Sequence, residues 1–341
     1  MADGVSVVSF GRVAVLGAGG WGTALGVHLA RAGHDVSLWA RDAALAGEMT
    51  VRRANAVYLP DVVFPAGLRP TADLIASLSR VDLVVAAPPS HGFREVLRRA
   101  APHIPAGATV VSVTKGLEED TLLRMSEVAD AELAGRHEIA VLSGPSFAVE
   151  LARELPTAVC VAATRLSTVE RVQRGFRTPY FRLYGSDDMV GVEIGAALKN
   201  VIAIAAGVVE GLGLGHNARA GLITRGLAEI TRLACAAGAR RDTLSGLAGL
   251  GDLVLTCTGT LSRNRHVGIE LAHGRRLREV LAGMKMVAEG VRTTNAALAL
   301  GKKHGLELPI AEQVAALLAG EKDARAAVEH LMLRPQRSEA G

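Results

Sequence analysis

Several groups of residues in this chain have the types and spacing to do chemistry. Lys199 sits inside an apolar stretch with helical periodicity, after Gly195, Ala196 and Ala197 and before Val201, Ile202, Ala203 and Ile204. Burial there would withdraw an ammonium from water and lower its pKa toward neutrality, which suits a proton donor and acceptor. The alternative is a lysine that snorkels to solvent or pairs with Glu193 or Glu210. Lys115 ends the run ATVVSVTKG, where a cation can meet a phosphate or a carbonyl oxygen, or simply stand in an exposed turn. SGPSFA (143–148) sets Gly144 and Ser146 at a Gly-Pro turn that could receive an anion. In LAGLGDLVLTCTGTLSRNRHVG (247–268), read as a polar loop, Asp252 can orient a lysine or a substrate hydroxyl. Ser262, Arg263 and Asn264 then offer consecutive donors, and the planar guanidinium matches phosphate oxygens.

The most sharply defined group is the glycine turn of RVAVLGAGGWGTALGVHLARAGHDVSLWAR (12–41). Gly17, Gly19 and Gly22 satisfy G-x-G-x-x-G between a short apolar strand and a helix starting near Gly20, with a second strand one helix later. In such a unit the three glycines permit a tight turn, close approach of backbone to a pyrophosphate, and close packing of helix on strand. The helix N-terminus turns its free N–H groups toward the phosphates.

These groups need a scaffold, and the periodicity supplies one. VDLVVAAPPS (81–90), ATVVSVTKG, EIAVLSGP, TAVCVAAT and FRLYGS read as strands alternating with amphipathic stretches such as FREVLRRAAPHI. This is the pattern of a largely parallel, doubly wound sheet, whose ligand edge lies past the strand carboxyl ends at Gly17, Pro88, Lys115 and Ser143. From about Asp187 the strand signal stops and alanine-, leucine- and glycine-rich helical segments take over. The expected organisation is a Rossmann-type domain over 1–188 and an all-helical domain over 189–333, with mobile tails at 1–9 and 334–341.

Bulk properties narrow the function. A chain of 341 residues, 49% apolar, has material for two cores. The longest wholly apolar runs fall short of the roughly 18 residues that span a bilayer, and the N-terminus lacks a secretion signal, so a cytoplasmic protein without a membrane span is expected. Cys160, Cys235 and Cys257 are too scattered for a disulfide framework, and neither they nor the ten histidines show metal spacing. A net charge of +4, 3% aromatics and dispersed arginine pairs suit small anionic ligands and argue against nucleic acid.

Taken in order, GAGGWGTALG, TKGLE, SGPSFA, the segment from GAALKN to ITRG, GLGDLVLTC and SRNR closely resemble the bacterial NAD(P)-dependent glycerol-3-phosphate dehydrogenases, from about residue 11 to about 330. The resemblance implies interconversion of sn-glycerol 3-phosphate and dihydroxyacetone phosphate for phospholipid synthesis, a small phosphorylated substrate and a homodimer. It makes Lys199 the general acid/base within a catalytic set with Lys115 and Asp252, Lys115 touching both cofactor and substrate. Gly144, Ser146, Asp252, Ser262, Arg263 and Asn264 would line the substrate, with Thr256 beside them. Gly20, Trp21, Arg41, Ala148, Arg263, Val287 and Glu289 would contact the nucleotide; many relatives carry serine at the position of Gly20. NAD-selective folds end the second strand with an acid for the ribose, whereas here Ala40 and Arg41 precede Asp42, so NADPH is expected to serve at least as well as NADH. The rival readings are a β-hydroxyacid dehydrogenase, which binds a carboxylate, and a cofactor-binding sensor without turnover.

Overall fold

The computed structural model describes residues 10–284, 286–336 and 338. The tail expected at 1–9 lies outside them, as do 337 and 339–341 of the second tail, while Arg334 is described and donates to Glu307 at 3.0 Å.

The first half begins with β1 (Arg12–Leu16), α1 (Gly20–Arg31), β2 (Asp35–Trp39), α2 (Ala43–Arg52) and a hairpin of β3 (Ala54–Asn55) and β4 (Leu59–Val63). Next come β5 (Leu68–Thr71), α3 (Leu74–Ser77), β6 (Leu83–Ala86), α4 (Ser90–Ala100), β7 (Thr109–Ser112) and α5 (Met125–Leu133). The half ends with β8 (Ile139–Ser143), α6 (Ala148–Ala152), β9 (Thr157–Ala163), α7 (Leu166–Phe176) and β10 (Phe181–Ser186). Eight strands form one sheet in the order β10-β9-β8-β7-β6-β1-β2-β5. Every neighbouring pair is parallel except β8 with β9.

Both faces of the sheet are covered, which is why its central strands are apolar throughout. In β1, Val13 and Val15 join the layer built on α1 and α7, while Ala14 and Leu16 join the layer built on α4 and α5. The strands between 54 and 71 escape a reading by apolar pattern. Pro60 interrupts β4, and Pro70 lies in β5, an outermost strand of the sheet, where a missing N–H is tolerated.

The second half is helical: α8 (Met189–Gly211), α9 (Gly215–Ala236), α10 (Arg241–Ser245), a π-turn (Leu247–Gly251) and α11 (Asp252–Thr258). It continues as α12 (Arg263–Ala272), α13 (Leu277–Ala282), α14 (Glu289–Lys303), α15 (Pro309–Ala319) and α16 (Ala324–Met332). The stretch from Leu247 to Gly268, read as a loop, is therefore helical on both sides of a short turn, with the π-turn and α11 before it and the first part of α12 after it. Its glycines mimic loop composition, yet a Cβ on Gly249 would stand 2.1 Å from the Leu244 carbonyl oxygen, so glycine is there to let the π-turn pack.

α8 is the hub, with α9, α11, α12 and α14 packed around it. At 23 residues and a mean hydropathy of 1.7 it is long and apolar enough to cross a bilayer, although no unbroken apolar run is; 94% of the stretch is enclosed by protein. It crosses α12 with backbones in contact. A Cβ on Gly207 would lie 2.0 Å from the Arg265 carbonyl oxygen, and one on Gly268 2.0 Å from that of Ile204. Gly268→Ala should therefore lower the unfolding free energy by about 2 kcal/mol or more, overpacking outweighing alanine's better helix propensity of roughly 1 kcal/mol. Denaturant titration checks this; an unchanged or higher midpoint would mean that the helices do not pack this closely.

Candidate active site

Three strand ends and the N-termini of the helices that follow them build one side of the site. At the first, Gly17 takes a φ of +119°, and its N–H donates to the Trp39 carbonyl at 3.0 Å. A Cβ on Gly17 would stand 2.8 Å from the Ala87 oxygen, and one on Gly22 2.0 Å from the Gly17 oxygen. A Cβ on Gly19 would meet nothing within 4 Å. Gly17 and Gly22 are thus demanded by the protein itself, whereas Gly19 faces open space at the start of α1. Trp21 adds a buried indole N–H without a partner among the described residues. A cradle of free backbone donors over open space fits a dinucleotide pyrophosphate. Ala148, at the start of α6, and Met286 approach the same turn, 3.9 and 3.7 Å from a Cβ built on Gly20.

Arg41 is exposed just past β2. Asp42 caps α2 instead of standing free, its carboxylate accepting from the N–H groups of Ala44 and Leu45 at 2.8 and 3.3 Å.

The other side of the site comes from the helical half. The Asp252 side chain, 1% exposed, accepts from Lys199 Nζ on Oδ1 at 2.5 Å and from Lys115 Nζ on Oδ2 at 2.6 Å. Lys199 Nζ also donates to Thr256 Oγ1 at 2.6 Å, and Lys115 Nζ to the Gly144 carbonyl at 3.2 Å. Ser143 Oγ reaches Asp252 at 3.5 Å, and Ser146 Oγ donates to the Gly144 carbonyl at 2.9 Å. Gly144 has a φ of +151°, and a Cβ there would press to 2.9 Å on Val159 Cα. Lys199 pairs with neither Glu193 nor Glu210. Glu193 holds Ser126 and Arg124, and Glu210 holds Arg265 and Arg219.

Burial is the largest influence on Lys199. It lowers the pKa to about 7 against the opposing pull of Asp252, with Lys115 adding like-charge repulsion. Two amines share one carboxylate, so the cluster carries a net positive charge while Lys199 is protonated.

Ser262 is the N-cap of α12, accepting from the Arg265 N–H at 3.3 Å. Arg263, the first helical residue, is exposed, and its guanidinium donates to the Val287 carbonyl at 2.8 Å. Asn264 is tied on both ends of its amide: Nδ2 donates to Asn200 Oδ1 at 2.9 Å, and Oδ1 accepts the Gly290 N–H at 2.9 Å. It thus locks α8, α12 and α14 together, with one Nδ2 hydrogen to spare. Glu289, expected at the nucleotide, accepts from Ser90 Oγ at 2.7 Å and from its N–H at 3.3 Å, joining the starts of α14 and α4. Asn200 was not singled out in the sequence; its signal there is a second polar residue directly after Lys199 in an apolar helix.

A Rossmann-type half with a dinucleotide-type glycine turn, joined to a helical half through a Lys115–Asp252–Lys199 cluster, defines a two-domain nucleotide-dependent dehydrogenase. Within that class, the description "NAD-dependent glycerol-3-phosphate dehydrogenase N-terminus" matches residues 12–169, and the corresponding "C-terminus" description matches residues 188–329. The chain belongs to this family of NAD(P)-dependent oxidoreductases. It is 51% identical over 334 residues to glycerol-3-phosphate dehydrogenase [NAD(P)+] of Geobacter metallireducens, covering 97% of this chain and 99% of that one. The crystal structure of glycerol-3-phosphate dehydrogenase from Coxiella burnetii superposes with a TM-score of 0.92 at 43% identity, covering 95% and 99% of the two chains. A ketopantoate reductase from Ralstonia eutropha, at 17% identity and a TM-score of 0.57 over 94% and 99%, shares the fold alone.

Alcohol oxidation needs a neutral amine to accept a proton, and ketone reduction needs an ammonium to give one. With Lys199 titrating near 7, kcat/KM for oxidation should rise with pH through about 7 and level off, while kcat/KM for reduction should fall over the same range. Rate measurements between pH 5.5 and 9 check this, and flat profiles in both directions would contradict it.

Proposed function

We propose that the chain catalyses reversible hydride transfer between a nicotinamide cofactor and the C2 carbon of dihydroxyacetone phosphate, forming sn-glycerol 3-phosphate, with Lys199 as the proton donor and acceptor. The observation that carries this reading is the buried Lys199 ammonium, bonded to Asp252 and Thr256 and tuned to about 7. When bound, the nicotinamide ring gives or takes the hydride. In the reducing direction Lys199 delivers its proton to the C2 oxygen as negative charge develops there, and in the oxidising direction it withdraws the proton from the C2 hydroxyl. Asp252 holds the amine in place and moderates its pKa, and Lys115 lends a second positive charge to the same oxygen or to the phosphate.

The substrate phosphate is assigned to the α12 N-terminus, where Ser262, Arg263 and the spare Asn264 hydrogen supply donors and the helix dipole favours an anion. Gly144, Ser146 and Thr256 close the pocket around the glycerol carbons. Gly17, Gly19, Gly20, Trp21 and Gly22 are assigned to the pyrophosphate, and Ala148, Val287 and Glu289 to the nucleotide beyond it. Arg41, exposed just past β2, is assigned to a ribose 2′-phosphate, so NADPH should give a kcat/KM at least equal to that of NADH. Arg41→Asp should depress the NADPH value far more; exclusive use of NADH by the wild type would overturn this assignment.

We further place the enzyme in the cytoplasm, as a homodimer supplying glycerol 3-phosphate for phospholipid synthesis. Cys160, Cys235 and Cys257 are unbridged, in keeping with a reducing compartment, and Leu250, Val254 and Leu261 leave apolar surface exposed near the site.

The direct test is NADPH oxidation with dihydroxyacetone phosphate. Lys199→Met should cut kcat by about 10²- to 10⁴-fold while the protein folds and binds nucleotide. Near-normal turnover would move the acid/base role to Lys115. Arg263→Ala should lower kcat/KM for the phosphorylated ketone by about 10- to 100-fold, the weight of one charge-assisted hydrogen bond. It should leave the poor turnover of dihydroxyacetone itself almost unchanged; equal damage to both substrates would assign Arg263 to the cofactor or the fold.

A further inference from the structure

The turn assigned to the pyrophosphate is backed by a residue that touches no ligand. Asn55 lies in β3, 37 residues beyond Ala18 in sequence and fully buried. Its amide is used completely on the donor side: Nδ2 donates to the Ala18 carbonyl at 2.9 Å and to Thr23 Oγ1 at 2.9 Å. Its Oδ1 accepts the Tyr58 N–H at 3.1 Å, which closes the β3–β4 turn. Thr23 Oγ1 passes its own hydrogen to the same Ala18 carbonyl at 3.3 Å. One carbonyl at the centre of the turn is therefore held by two donors from behind.

The consequence follows from the planar trans peptide, in which the N–H of Gly19 points opposite to the carbonyl of Ala18. Pinning that oxygen toward Asn55 and Thr23 turns the Gly19 N–H the other way, toward the open space in front of the turn. Left unpinned, the carbonyl could rotate forward and present an acceptor where a pyrophosphate needs a donor. The same hairpin packs against the helix start, where a Cβ on Gly20 would come to 3.0 Å from the Tyr58 carbonyl oxygen.

We propose that Asn55 is a positioning residue for dinucleotide binding: it fixes the orientation of the Ala18–Gly19 peptide, and with it the donors that face the pyrophosphate. This rests on the reading that the glycine turn holds the pyrophosphate, and the two fail separately in the following experiment. Gly19→Val, at a position where a Cβ meets nothing and φ is an ordinary −69°, tests the reading itself. It should abolish NADPH binding while the protein still melts cooperatively. Asn55→Asp keeps the shape and the acceptor but removes both donors.

For Asn55→Asp, the KM and Kd for NADPH should rise by about 10- to 100-fold, the range of one charge-assisted hydrogen bond. The kcat at saturating NADPH should stay within about threefold, and the KM for dihydroxyacetone phosphate should not move. Thr23→Val, which removes the second donor, should shift the NADPH terms in the same direction by a smaller factor, and it decides the matter if Asn55→Asp does not fold. Loss of binding in Gly19→Val with wild-type NADPH affinity in the Asn55 and Thr23 variants overturns the proposal. So does a parallel loss of kcat and of both KM values, which would mark Asn55 as merely structural. Unchanged binding in Gly19→Val would instead overturn the reading of the turn.

Discussion

The carboxylate of Asp252 is the contact on which the rest of the site depends. It takes one ammonium on each oxygen, Lys199 from the same helical half and Lys115 from a strand end of the sheet. Asp252 and Lys199 are buried and Lys115 is partly so; burying charges is expensive, and such clusters are often less stable than an apolar packing of the same volume. Here the cost has a chemical counterpart. Without Asp252 two ammonium groups would face one another with no counter-charge between them. With two fully competent carboxylates in place of one, Lys199 would be held too firmly protonated to exchange a proton near neutrality. The sign of the linkage follows: the folded-state pKa of Lys199 lies below its ordinary value, so its burial costs stability in full below about pH 7, and the cost is relieved as pH rises toward the ordinary lysine range.

That cluster also spans the two halves of the molecule, so their relative placement has to be fixed. Two further carboxylates, Glu193 buried and Glu289 half-buried, help to do this. Glu193, six residues before Lys199 on α8, is clasped by Arg124 and by both the hydroxyl and the N–H of Ser126 at the start of α5. Glu289 holds the first turn of α4 through Ser90. The glycine contacts between α8 and α12 then set the distance between Lys199 and the helix end that carries Arg263. Asn200 and Asn264 complete that spacing with a side-chain amide pair.

Legibility in the sequence followed the range of the interactions. The glycine turn was readable because Gly17 and Gly22 answer to local backbone geometry within one βαβ unit, and the buried strands were readable because both their faces are apolar. The partner of Lys199 was not, since Asp252 is 53 residues away and two nearer glutamates were equally plausible on spacing alone. The stretch around Asp252 looked like a loop because its glycines, needed for close packing of a π-turn, have the composition of one. β4 and β5 were hidden by Pro60 and Pro70, and Asn55 by its separation from the carbonyl it pins. Pattern left the roles of Lys199, Lys115 and the Ser262–Asn264 donors open between functional and structural readings, and resemblance to a known family selected among them.

The central claim is that Lys199, buried against Asp252, exchanges its proton near neutrality. The direct measurement is an NMR titration of the lysine ¹³Cε resonances in the cofactor-free enzyme, with the Lys199 signal assigned by its disappearance in Lys199→Met. A midpoint near 7 for that signal is the result predicted here. A midpoint in the ordinary lysine range, about 10 or above, would contradict it.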